Sequence, residues 1–204
     1  MLLQHTRHVH VCSLGMLFPS LQNSSDSHWR RSHLPFMFVG MEHIMLSNHV
    51  LADEALNAAY AMCKGDPLLI NERGVMAYNH GEFERAATLF QEALELAQVT
   101  QSSRRSWATT YINLGTCYRR LKWVFFQRLL SSELVPILHY RRLDEAQETY
   151  KQVLELEPRH SVALGFLGMV YHLRNNLDEA IIKYHEVRGL LSLSRILFLI
   201  SSWC

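Results

Sequence analysis

Residues 66–96, DPLLINERGVMAYNHGEFERAATLFQEALEL, decide the fold. In the second half, Phe83, Ala86, Ala87, Phe90, Ala93 and Leu94 recur at steps of three and four, which gathers apolar side chains on one helical face. The first half is apolar around Gly74, and Gly81 separates the two, so the stretch predicts a pair of helices joined by a short turn. Working outward, Gly40 stands 34 residues before Gly74, Gly115 stands 41 after it, and Gly168 a further 53. The last two intervals are 34 lengthened by seven and by nineteen. Twelve residues after its glycine comes Ala52, Ala86 or Ala180, and sixteen after it Leu56, Phe90 or Tyr184. For Gly115 the partners are Ala146 and Tyr150, each displaced by the same nineteen residues. Tyr118 and Tyr171 follow their glycines by three, and the word RLDEA at 142–146 answers NLDEA at 176–180.

A 34-residue unit with this spacing of glycine, alanine and aromatic is the tetratricopeptide-repeat pattern. The packing reason is direct. Glycine and alanine let two antiparallel helices approach closely, and the large side chains fill the space beside them. Pro158 falls where the second helix of its unit should end. The expectation is an all-α chain of tetratricopeptide (TPR) helix-turn-helix repeats, stacked as a right-handed superhelix of about four units, the last degraded. The units are placed at 33–66, 67–98, 108–160 and 161–186, giving an array over 32–186.

The repeat phase is broken in two places. Residues 99–106, VTQSSRRS, lengthen the loop between units two and three and read as a solvated linker. Residues 123–141, WVFFQRLLSSELVPILHYR, split unit three at its turn, and must either project outward or extend the helices. Their apolar content makes them a binding patch or an aggregation liability. Residues 1–31 hold no persistent period and are expected to be an unstructured extension. Residues 187–204, VRGLLSLSRILFLISSWC, are an apolar tail in which Arg188 and Arg195 interrupt a stretch too short to span a bilayer. This end, lacking a polar capping helix, predicts poor solubility unless something covers it.

Composition narrows the function classes. Hydrophobic residues are 49% and charged residues 19% of the 204, a globular balance. The formal charge of +1 removes the simplest electrostatic case for nucleic acid or an acidic membrane surface. Cys12, Cys63, Cys117 and Cys204 are scattered without paired spacing, as expected of reduced thiols inside a cell. His8, His10 and Cys12 would share a face in a strand, yet no second ligand pair follows downstream, so no metal site is expected. No phosphate loop, nucleophile elbow or zinc-protease motif is present. Neither catalytic residues nor a cofactor are expected, and the chain reads as no enzyme.

The stretch 33–56, the stretch 66–96, residues 100–122 (TQSSRRSWATTYINLGTCYRRLK) and residues 142–186 together resemble the cell-division-cycle-sixteen family. Members of that family are tetratricopeptide scaffold subunits of the anaphase-promoting complex. Residues 1–31, 123–141 and 187–204 match nothing in the family pattern, and deleting 123–141 restores the repeat phase. They are expected to be translated non-coding sequence, and the chain to be a piece of the family protein's C-terminal half. The resemblance implies a protein-binding scaffold of a ubiquitin ligase of the mitotic cell cycle, in nucleus and cytoplasm. It also implies partners: other subunits of the complex, including a small accessory subunit held in the repeat groove, with no nucleic acid and no membrane. Homodimerisation through the family's N-terminal repeats is not expected, since those repeats are not in this chain. The first helices should face the groove with Asn71, Tyr78 and Asn79 in unit two and with Asn113, Thr116, Arg119 and Arg120 in unit three. Unit four should add Phe166, Met169 and His172, with Asn71 and Asn113 bonding the backbone of a bound peptide. The alternatives are a generic tetratricopeptide adaptor of the co-chaperone type, or a truncated isoform with no function of its own.

Overall fold

A computed structural model describes residues 32–128 and 135–190, with side chains described outside 122–141. The described residues form eight α-helices and no strand. They are α1 (Leu34–Met45), α2 (His49–Met62), α3 (Pro67–Asn79), α4 (Phe83–Val99), α5 (Ala108–Arg128), α6 (Val135–Leu156), α7 (Ser161–Leu173) and α8 (Leu177–Leu190). A single 3₁₀ turn, Arg104–Trp107, lies in the lengthened loop before α5. Helices pair as α1–α2, α3–α4, α5–α6 and α7–α8, and each pair packs on the next, which is a stack of tetratricopeptide repeats.

Each pair is closed by the glycine read from the sequence. A Cβ added at Gly74 would lie 2.8 Å from Phe90 Cε1, at Gly115 2.7 Å from Tyr150 Cε1, and at Gly168 2.8 Å from Tyr184 Cε1. At Gly40 it would meet Leu56 at 2.6 Å. The large residue sixteen positions on, or thirty-five in unit three, therefore fills the space a side chain would need. Ala52, Ala86, Ala146 and Ala180 are all buried at the same crossings.

The turns within units follow one rule with one exception. Seven residues after the glycine, Ser47, Gly81 and Asn175 take left-handed φ values of 58°, 79° and 61°. The chain then closes with a bond from the next residue's N–H back five positions: Asn48 to His43, Glu82 to Ala77 and Asn176 to Tyr171. In unit three the corresponding residue is Lys122, and it remains helical. The insertion thus continues the helices, making α5 21 residues long and α6 22, against 12 to 17 elsewhere. Its aromatic side chains lie outside the described residues, as do residues 1–31 and the tail beyond Leu190. Helix α8 itself runs past Glu186 to Leu190.

Helix starts are set locally. Asp66 accepts from the N–H groups of Leu68 (2.8 Å) and Leu69 (3.4 Å), with Pro67 in the first turn where its missing donor costs nothing. The Asp66 carboxylate also meets His33 Nε2 at 2.6 Å, tying the start of α3 to the start of α1. The His160 ring caps α7 by accepting from the Ala163 N–H at 3.3 Å.

Candidate peptide-binding groove

The first helices of neighbouring units touch one another directly, α1 with α3, α3 with α5 and α5 with α7, so they form the inner wall of the stack. The polar side chains on this wall divide into two kinds. Some are buried among the packed helices, and some keep surface.

Asn71, Asn113 and Thr116 belong to the first kind. The Asn71 amide donates to Glu72 Oε1 at 2.9 Å, and its own oxygen accepts from Thr110 Oγ1 of α5, also at 2.9 Å. Asn113 is only 2% exposed. Thr116 donates to the Ile112 carbonyl at 2.8 Å and lies 3.3 Å from the Tyr150 hydroxyl. Both amides expected to bond a peptide backbone are thus buried in the stack. Asn71 bridges units two and three, and Asn113 is enclosed.

Glu72 is enclosed with them. Burial pushes its carboxyl up to about 7, opposed by the hydrogen bond from Asn71. The Glu72 carboxyl lies against the Asn71 amide with no cation paired to it among the described residues, so ionising it there is costly. Tyr150 is wholly buried, and its hydroxyl is pushed up to about 12 by that burial, with the Arg119 charge acting against it.

Tyr78, Asn79, Arg119, Arg120, Phe166, Met169 and His172 are of the second kind, half-buried or exposed on α3, α5 and α7. Arg120 Nε donates to the Tyr78 hydroxyl at 3.4 Å, reaching back towards unit two. Arg119 reaches forward, its guanidinium 5.4 Å from the Phe166 ring centroid, while Phe166 stands 5.6 Å from Tyr150. The Arg119 Nε atom is buried without a hydrogen-bond partner. The two arginines thus straddle α5 over an aromatic floor.

A polar cavity of about 200 Å³ lies between α2, α3 and α4, lined by Asp53, Arg73, His80 and Arg85 among others. His80 pairs with Asp53 at 3.0 Å there, and Arg73 stacks on Tyr60 at 3.8 Å. Among the described residues no cluster of three or more His, Cys, Asp or Glu could hold a metal ion. No described helix is long and apolar enough to cross a membrane. Cys63 and Cys117 are free thiols, and burial pushes that of Cys117 up.

A family model described as tetratricopeptide repeat matches residues 141–189. The chain is similar to anaphase-promoting complex subunit cut9 of Schizosaccharomyces pombe, 48% identical over 91 residues, covering 45% of this chain and 14% of that protein. It is similar to anaphase-promoting complex subunit 6 of Arabidopsis thaliana, 32% identical over 146 residues, covering 72% of this chain and 23% of the relative. A crystal structure of the APC/C hetero-tetramer Cut9-Hcn1 superposes with a TM-score of 0.65 at 34% identity, over 78% of this chain and 27% of that one. The chain spans less than a quarter of the length of these two curated relatives.

Proposed function

We infer from one premise, that the chain belongs to the CDC16 (cut9, subunit 6) family of tetratricopeptide-repeat subunits of the anaphase-promoting complex, that it is a protein–protein interaction scaffold. Its work is to hold a partner segment along the inner wall, as part of the ubiquitin-ligase assembly of the mitotic cell cycle. It performs no catalysis and acts in nucleus and cytoplasm. The observation that carries this reading is the match to Cut9 solved together with Hcn1, over most of the described array and at 34% identity. The array is taken as 32–186, with the stretches 1–31 and 187–204 flanking it.

Within that array the contacting residues are Tyr78, Asn79, Arg119, Arg120, Phe166, Met169 and His172, which keep surface on α3, α5 and α7. Asn71, Asn113 and Thr116 act one layer deeper, fixing the helices that carry them. A single small subunit held in the groove suits the wall's mix of amide, aromatic and cationic side chains.

The test is affinity purification of the tagged chain from dividing cells, beside a Phe166→Ala/Met169→Ala variant. The wild type should recover other subunits of the complex and a small accessory chain, and the variant should lose the small chain. Recovery of no complex subunit by the wild type would sink the reading.

A further inference from the structure

The formal charge of +1 hides a segregation. Helices α5 and α7 contain no Asp or Glu at all, α3 contains only Glu72 and α1 only Glu42. Every second helix, by contrast, carries at least two acids, as with Asp53 and Glu54 in α2 or Asp178, Glu179 and Glu186 in α8. Several of the acids outside are paired locally: Arg85 pairs with Glu82, Arg142 with Glu145, and Lys183 with Glu186. On the wall, Glu72 is buried and bonded to Asn71, so it offers no negative surface. Arg119 and Arg120 are paired with no carboxylate of the described residues.

We propose that the inner wall selects a partner segment bearing acidic side chains, whose carboxylates pair with Arg119 and Arg120 while an apolar side chain between them packs on Phe166 and Met169. This rests on the groove reading above and adds the chemistry of the occupant. Three observations converge on it. The wall presents cations and aromatics, the second helices hold most of the acids that would otherwise neutralise them, and the Arg119 guanidinium is steadied by Phe166 and the Tyr150 hydroxyl and by no carboxylate of the described residues. Arginine suits the task because its planar fork takes a carboxylate by two parallel bonds and stacks on aromatic faces at the same time. Tyr78 and Phe166 hold the two forks apart and in fixed directions, which lowers the ordering cost of binding. The carboxylates meant are side chains along the segment, not a free C-terminus.

The experiment is fluorescence anisotropy on the full chain with labelled peptides of about twelve residues, amidated at the C-terminus and alternating Glu with Leu and Phe. A counterpart with Gln in place of Glu serves as the neutral probe. The wild type should bind the Glu peptide about tenfold or more tighter than the Gln peptide, and that margin should shrink as salt rises from about 50 to 300 mM. R119Q/R120Q should abolish the margin, R119K/R120K should restore only part of it, since an ammonium supplies the charge without the planar fork, and R85Q on the outer side should leave it intact. Matching melting temperatures of these variants establish that folding is not the cause. Equal binding of both peptides overturns the acidic preference and leaves the groove scaffold standing. A margin that survives R119Q/R120Q overturns the assignment to these arginines. Tighter binding of a labelled oligouridine than of the Glu peptide, lost in the same variant, would assign the wall to a phosphate backbone and overturn the proposal. Failure of both peptides while the chain still recovers complex subunits also refutes the acidic preference, and failure of that recovery too would tell against the scaffold.

Discussion

Units two and four are built on the same contacts and differ in what surrounds them. In both, a glycine on the first helix receives an aromatic ring from the second, and a left-handed residue seven positions on closes the turn. Unit two is packed on both sides, so Phe90 is wholly buried between α3, α4 and the neighbouring unit. Unit four has a described neighbour on one side only. Tyr184 is half-buried, and Leu177, Ile181 and Ile182 are exposed. The signature therefore determines the shape of each hairpin, while burial, and with it most of the stability, comes from stacking.

The largest expected effect separates the two aromatics. Phe90→Ala should cost about 3–5 kcal/mol, since an enclosed ring leaves a cavity that neighbouring helices cannot close. Tyr184→Ala should cost about 1–2 kcal/mol, because part of its surface already meets solvent. Equilibrium urea unfolding of both variants checks this, and equal costs would mean the exposed end is covered in solution.

The next effect is a pH dependence confined to the inner units. The Glu72 carboxyl is raised in the folded chain from 4.5 to about 7. The folded state therefore holds a proton that the unfolded state has released between those values. Stability from the neutral acid is complete below about pH 4.5 and is lost as pH rises through about 7, by up to roughly 3 kcal/mol. Glu72→Gln keeps an oxygen for the Asn71 amide and removes the titration. It should flatten melting temperature between pH 5 and pH 8, where the wild type falls. The corresponding residue of unit four is Phe166, which has nothing to titrate.

Much of this was legible in the sequence because it depends on volume. The glycine–aromatic spacing states which groups must meet, and a helix pair has one way to satisfy it. The division of the wall was not legible. Asn71, Asn113 and Tyr78 all lie on the groove side of their helices, and only the rotation of one unit against the next encloses the first two and leaves the third open. That rotation is a sum of packing choices between units, which no repeat position records. The charge segregation escaped for a different reason, since a total of +1 says nothing about which helix holds the acids. The insertion was legible as a break of phase, while its outcome depended on Lys122 staying helical where Ser47, Gly81 and Asn175 turn.

Glycines sharpen the contrast at a smaller scale. Gly165 and Gly168 lie one turn apart in α7, yet an added Cβ meets only Val187 at 4.0 Å at the first and Tyr184 at 2.8 Å at the second. Gly165→Ala should stabilise by about 0.5–1 kcal/mol through backbone entropy. Gly74→Ala should destabilise by about 1–3 kcal/mol, because Phe90 has no room to move. Gly168→Ala should fall between them, since Tyr184 can swing towards solvent. Thermal melts of the three variants give the order directly, and a destabilising Gly165→Ala would contradict the packing described at α7.

The smallest effect on stability carries the largest effect on association. Ile181 and Ile182 are 53% and 49% exposed and, with Leu177, make α8 the least covered second helix described. A contiguous apolar face of this kind promotes contact with other molecules, whereas scattered exposed apolar residues do not. Ile181→Glu/Ile182→Lys should change folding stability by less than about 0.5 kcal/mol, the range for exposed positions. It should also reduce concentration-dependent self-association, read as a fall in mass by light scattering across a dilution series. Val99, exposed alone at the end of α4, provides the control: Val99→Glu should leave the mass unchanged, because a single apolar side chain offers too little area to hold two chains together. If both variants leave association untouched, the face on α8 is already covered by another part of the chain, and units two and four differ less than their described surroundings imply.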